Sequence, residues 1–235
     1  MILRVFSCLL VLCLAGCGSG GDQPKGQELA SEDCGPYVGR YTGDGGNYGG
    51  LIGQVDAQGH VTLSGYSASG KLTLSGTISE SGAVTLSGTL GDSQFLAVGS
   101  WGNTPGYGRM AGTWQAERDR VGEWSIARQG APPASGTFSG SYGGRDYGTV
   151  TAVVTDAGVA SAQLHSNMVG VDFSVDGYVS ADGVIVGAGN VQHTQCLFVG
   201  TFTAATSEYG GFWYSGNYPQ TPSLTAPGSW GVRPD

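Results

Sequence analysis

One five-residue phrase, written three times between Val61 and Leu90, restricts this chain more than any other feature: Val61-Thr-Leu63-Ser-Gly65, Leu72-Thr-Leu74-Ser-Gly76 and Val84-Thr-Leu86-Ser-Gly88. Each copy alternates apolar with small polar residues. That period of two places Val61, Leu63, Leu72, Leu74, Ile78, Val84, Leu86 and Leu90 on one face of a sheet, and Thr62, Thr73, Thr77, Thr85 and Thr89 on the other. The connections, Gly65 to Gly70 and Ser79 to Gly82, are too short for a crossover helix, so successive strands pair antiparallel. The result is a meander with one dry face and one wet face.

The chain also repeats itself on a longer scale. Gly76-Thr-Ile78-Ser-Glu-Ser-Gly82 matches Gly177-Tyr-Val179-Ser-Ala-Asp-Gly183, and Ser93-Gln-Phe-Leu-Ala-Val-Gly99 matches Thr194-Gln-Cys-Leu-Phe-Val-Gly200, both at an offset of 101 residues. At the starts, Gly39-Arg-Tyr41-Thr-Gly43 faces Gly136-Thr-Phe138-Ser-Gly140. At the ends, Gly112-Thr-Trp114 and Gly122-Glu-Trp124 face Gly211-Phe-Trp213 and Gly228-Ser-Trp230. Agreement at several places defines a tandem duplication. The expected units are 35–128 and 136–235, with a Pro-containing joint at 129–135.

In the first unit, strands are expected at 38–43, 48–56, 60–66, 71–78, 83–89, 94–101, 109–115 and 122–128, with eight more in the second. No stretch carries a helical period, and 44 glycines in 235 residues would weaken helix interiors by about 1 kcal/mol each relative to alanine. The fold class is therefore all-β. Eight sequential strands per unit are enough to close an up-and-down barrel, which removes unpaired edges. Two small barrels are the expectation, with a sandwich or one continuous sheet as alternatives. Glycines at Gly65, Gly76, Gly88 and Gly99 suit the sharp bends of such a barrel. A membrane-spanning barrel fits poorly, because the outward residues are Thr and Ser rather than an apolar band.

The N-terminus carries Arg4 and an apolar run, Val5 to Leu14, which is shorter than a membrane span and suits a signal peptide. Leu14-Ala15-Gly16-Cys17 resembles the lipobox of bacterial lipoproteins. That resemblance implies a leader at 1–16, a lipid on Cys17, a membrane contact through that lipid and, with Gly18 following, the outer membrane as address. Residues 17–34 are polar and glycine-rich, a flexible tether. The Gly-x-aromatic-x-Gly openings and the Gly-rich meander make the body similar in pattern to the eight-stranded barrels of surface lipoproteins that bind host proteins in Gram-negative pathogens. No binding motif of that group is matched residue by residue.

Without the leader, nine basic residues stand against eighteen acidic ones, a net charge of −9 that disfavours nucleic acid and anionic lipid surfaces as partners. Cys8 and Cys13 leave with the leader, so Cys34 and Cys196 remain as a pair expected to form a disulfide in an oxidising compartment.

Catalytic machinery is not apparent. His60 and His193 lie in turns and His165 begins a connection, while no serine occupies a strand-to-helix elbow. The Asp-Gly and Asp-Ala-Gly turns lack the alternating ligand spacing of a calcium loop, so no metal and no cofactor is expected. The one dense cluster is Tyr209-Gly-Gly-Phe212-Trp213-Tyr214-Ser-Gly-Asn-Tyr218. It holds more rings than alternation can turn inward, so Tyr209, Phe212, Tyr214 and Tyr218 are candidate contacts for a protein or glycan at the cell surface. With Trp213 inward, Phe212 and Tyr214 are expected outward. The expected function is a non-catalytic binding or envelope-interaction module. A lipocalin-like carrier of a small apolar ligand is the alternative, with a hydrolase a distant third.

Overall fold

The computed structural model describes residues 28–44, 48–67, 70–104, 107–116, 120–192, 194–216 and 228–235. The leader, Cys17, most of the tether, His193 and Tyr218 lie outside these residues. The first unit contains β1 (Gly35–Gly43), β2 (Tyr48–Val55), β3 (His60–Ser67), β4 (Gly70–Ile78), β5 (Ala83–Leu90), β6 (Ser93–Thr104), β7 (Tyr107–Ala116) and β8 (Arg120–Arg128). The second contains β9 (Gly136–Gly143), β10 (Gly148–Val154), β11 (Val159–Ser166), β12 (Val171–Val179), β13 (Val184–Val191), β14 (Thr194–Thr203), β15 (Glu208–Gly216) and β16 (Gly228–Pro234). Every neighbour pairs antiparallel, and β1 with β8 and β9 with β16 complete two closed barrels. The sandwich and the single continuous sheet are thereby set aside.

Alternation sorts the meander as the repeated phrase requires. Val61, Leu72, Ile78 and Leu86 are fully buried, and Thr62, Thr73 and Thr85 are exposed on the outside. Two interior glycines show why this barrel needs them. A Cβ on Gly76 would sit 1.9 Å from the Thr85 carbonyl oxygen, and one on Gly88 1.8 Å from that of Thr73, so any side chain there would drive paired strands apart.

The pairing also corrects the alignment of the two units at their starts. Tyr41 pairs with Trp124 and Gly49, whereas the residue that pairs with Trp230 and Gly148 is Tyr142. The counterpart of Gly39-Arg-Tyr41-Thr-Gly43 is therefore Gly140-Ser-Tyr142-Gly-Gly144, four residues beyond the phrase expected from sequence. Indole hydrogen bonds repeat in this frame. Trp114 Nε1 donates to the Thr42 carbonyl and Trp213 Nε1 to that of Gly143, each at 2.9 Å.

Both barrels are entered at the same end. The segment before β1 and the joint before β9 lie at what we term the base, and the β1–β2, β3–β4, β9–β10 and β11–β12 connections lie at the opposite end, the top. A 3-10 turn, Ser31–Asp33, closes the base of the first barrel. Leu29 is buried there, and the Tyr37 hydroxyl donates to the Asp33 carbonyl at 2.8 Å. At the base of the second, the Tyr209 hydroxyl donates to the Ala134 carbonyl, also at 2.8 Å.

The barrels pack side against side through their outer faces. Val38 of β1 and Ile52 of β2 meet Val184 and Val186 of β13 and Leu197 and Val199 of β14. Gly50 allows the approach, since a Cβ there would lie 2.4 Å from a Val186 methyl. The joint is tied down as well: Ala181 N–H donates to the Arg128 carbonyl at 2.8 Å and Gly130 N–H to that of Val179 at 3.2 Å. Arg109 and Asp182 add an ion pair at 3.5 Å across the base. Leu96 and Val98, which occupy in β6 the places of Leu197 and Val199, remain 45% and 44% exposed.

The expected disulfide is not formed. Both thiols are free: Cys34 packs against the core of the first barrel, and Cys196 is buried inside the second. Pairing by compartment assumes that both side chains can reach each other, but β14 turns Cys196 inward behind a closed wall. Burial pushes its thiol up to about 12, with the Asp146 carboxylate adding to the effect, so it stays protonated.

Candidate functional site

The aromatic cluster of β15 divides by face. Trp213 points inward and stacks on Phe198 at 6.1 Å, while Phe212 and Tyr214 point outward. Tyr209 also points inward: it is fully buried against Phe138 at 5.3 Å, and burial raises its phenol to about 12. A residue expected on the contact surface is thus part of the core, because Tyr209 shares the parity of Trp213. Of the outward pair, Tyr214 is half-buried in the seam with its ring 4.7 Å from that of Tyr48. Phe212 meets Tyr48 edge-on at 5.4 Å yet stays 51% exposed. The Tyr48 and Tyr214 hydroxyls are buried without a hydrogen-bond partner among the described residues, so ring and aliphatic packing hold this part of the seam.

A second apolar surface lies in turns at the top of the second barrel, where no period marks it. Tyr147, Met168 and Val169 are 55%, 58% and 38% exposed. Tyr147 leaves the β9–β10 connection and the other two the β11–β12 connection. A polar network beneath them joins the connections. The Asp146 carboxylate accepts the Tyr142 hydroxyl at 3.0 Å, the Ser166 hydroxyl at 2.9 Å and the Tyr147 amide at 2.7 Å. Ser166 is fully buried, and its oxygen accepts the Val169 amide at 3.2 Å. Asn167 N–H donates to the Tyr147 carbonyl at 2.9 Å. Burial, reinforced by the bond to Asp146, drives the Tyr142 phenol far above its usual range, so it remains a donor. The apolar side chains are therefore exposed on backbone that is held in place.

Ser166 and Asp146 together suggest hydrolytic chemistry only until the strand geometry is considered. His165 precedes Ser166 on β11, and adjacent strand residues point to opposite faces. Ser166 is inside, while His165 is outside on the Asp172 carboxylate at 2.7 Å. The imidazole cannot reach the hydroxyl. His60 likewise closes the β2–β3 turn, with Nδ1 2.9 Å from Asp56. Among the described residues, no three His, Cys, Asp or Glu side chains converge as metal ligands, and no helix is long and apolar enough to cross a membrane.

Among the described residues, fold and surface define a tandem pair of closed eight-stranded β-barrels joined by a seam, with an exposed apolar tip on the second. No family model matches the chain, and neither does any curated protein. Among solved structures it is similar to that of intact Ap-TbpB with its N and C lobes, at 11% identity and a TM-score of 0.28, covering 93% of this chain and 81% of that one. The fold given above rests on the strand pairing, not on that superposition.

Proposed function

We propose that the protein is an outer-membrane lipoprotein, anchored through Cys17, that acts as a non-catalytic binding module and meets a protein partner through Tyr147, Met168 and Val169. The observation that carries this is the tip itself: three large apolar side chains stand in water on turns fastened by Asp146 and Ser166. Clustered apolar exposure with a polar surround marks interaction surfaces, and a pre-ordered surface loses less entropy on association. The tether enters at the base, so the tip points away from the anchor. Aromatic, thioether and branched aliphatic side chains together suit a protein pocket better than a sugar ring. Phe212, on the outer wall at the level of Gly143, lies apart from this tip, beside the seam.

The test is site-specific photocrosslinking in intact cells, with p-benzoylphenylalanine placed at Met168 and, as control, at Glu80 in a turn at the base. A discrete adduct is expected from the Met168 position alone, and Tyr147→Asp is expected to abolish it without altering thermal unfolding. No adduct from Met168, or an equal adduct from Glu80, refutes the assignment.

A further inference from the structure

The two barrels share a topology but not a filling. Pairing places Val61 beside Gly76 beside Leu86 in one, and Ala160 beside Gly177 beside Gly187 at the same level of the other. One rung higher, Leu63 and Leu74 correspond to Ala162 and Val175. Four inward side chains of the second barrel are therefore shorter. Phe198, at the place of Ala97, returns part of the volume. What remains is a cavity of about 40 Å³ along β10 and β11, lined by Val150, Ala152 and Val154 on one strand and by Ala160, Ala162 and Leu164 on the next.

Its shape and chemistry limit the occupant. Three successive inward rungs on each strand, at roughly 3.3 Å per residue, make the space long and narrow along the barrel. The side chains that reach into it are apolar apart from the Tyr209 hydroxyl, which is bonded to Ala134, and a void of that kind stays free of water. The cover at the base is also lighter than in the first barrel. There Leu29 is inserted ahead of β1, whereas here only Ala134 of the joint packs on the core.

We propose that the second barrel receives the end of an alkyl chain, which enters past Ala134 and lies against Ala160, Ala162 and Gly187. The first barrel, where Val61, Leu63, Leu74 and Leu86 fill the corresponding places, takes none. This site is at the base and inside, apart from the surface tip, so each proposal stands or fails without the other.

The experiment uses the full chain with three probes: xenon, dodecanoate, and vesicles of a neutral diacyl phospholipid, the last two separating a free chain from a membrane lipid. Xenon is expected to shift the methyl resonances of Val150, Val154 and Val175 but not those of Val61 or Leu63. Dodecanoate, the vesicles or both are expected to bind saturably. Ala162→Leu restores the side chain present at Leu63; it is expected to abolish the xenon shift and weaken chain binding at least tenfold while the melting temperature is held or raised. Should that variant fail to fold, Ala160→Val is the smaller filling. Wild-type protein that takes up no xenon, xenon uptake without binding of either chain source, or unchanged binding in a folded filled variant overturns the proposal.

Discussion

Gly50 is the point at which the seam is most sharply testable. A Cβ added there would approach the two Val186 methyls to 2.4 and 2.9 Å, more than half an ångström inside ordinary contact. Val186 is 3% exposed and β-branched, so its single χ1 torsion offers little escape. Overpacking of this kind costs about 1–3 kcal/mol, and loss of unfolded-state freedom in Gly→Ala returns roughly 0.4–1 kcal/mol. Gly50→Ala should therefore destabilise by about 1–2 kcal/mol. Val186→Ala alone should cost on the order of 2 kcal/mol in lost burial. Combined, the two remove the clash, so the double variant should resemble Val186→Ala, with a coupling of about 1–2 kcal/mol. Urea unfolding of the four proteins, followed by tryptophan fluorescence and far-ultraviolet circular dichroism, measures the cycle. Additivity within about 0.5 kcal/mol would show that Gly50 and Val186 do not touch, and the side-by-side packing would be wrong.

Cys17→Ala is expected to abolish incorporation of a radioactive fatty acid and either to release the protein or to leave it unprocessed; label retained by the variant contradicts the anchor. Asp56 supplies a pH dependence. Burial alone would raise its carboxyl, but hydrogen bonds from the His60 amide and ring and from the Gln58 amide outweigh it and hold the pKa below 3.8. A folded pKa below the unfolded one means that the turn contributes fully above about pH 4 and loses that contribution as pH falls through the lower folded value. Asp56→Asn should accordingly flatten the acid limb of the melting temperature, and an unchanged limb would remove Asp56 from the account.

Much of the architecture was legible because alternation is a local signal with a global consequence. Once Val61 to Leu90 alternates across short turns, every residue in it has a face, and the second unit inherits the assignment through its offset. The start of the second unit misled for an equally local reason. Gly136-Thr-Phe138-Ser-Gly140 and Gly140-Ser-Tyr142-Gly-Gly144 carry the same phrase in overlapping frames, and only the partner strands, through Trp230 and Gly148, select between them. Parity correctly turned Phe212 and Tyr214 outward, but it cannot say whether an outer face meets water or a second barrel. By the same parity Tyr209 belonged inside with Trp213. Tyr147, Met168 and Val169 sit in turns, where no period exists to be read. The disulfide followed from compartment and count, neither of which contains the direction of a side chain on a closed wall.

The seam joins unlike faces of like units, and such a head-to-tail contact between repeats has no intrinsic reason to stop at two. The first barrel still offers Leu96 and Val98 in the places that Leu197 and Val199 use for docking. Neither free face, however, repeats its half of the seam. Where the first barrel receives its neighbour on Val38, Gly50 and Ile52, the second has Ser139, Thr149 and Thr151. Hydroxyls replace the aliphatic contacts, and a threonine stands where close approach requires no side chain at all. In the first barrel, likewise, Ala83 and Thr85 hold the places of Val184 and Val186 beside Leu96 and Val98, so the pair is closed at both ends by shortened or polar side chains rather than by symmetry.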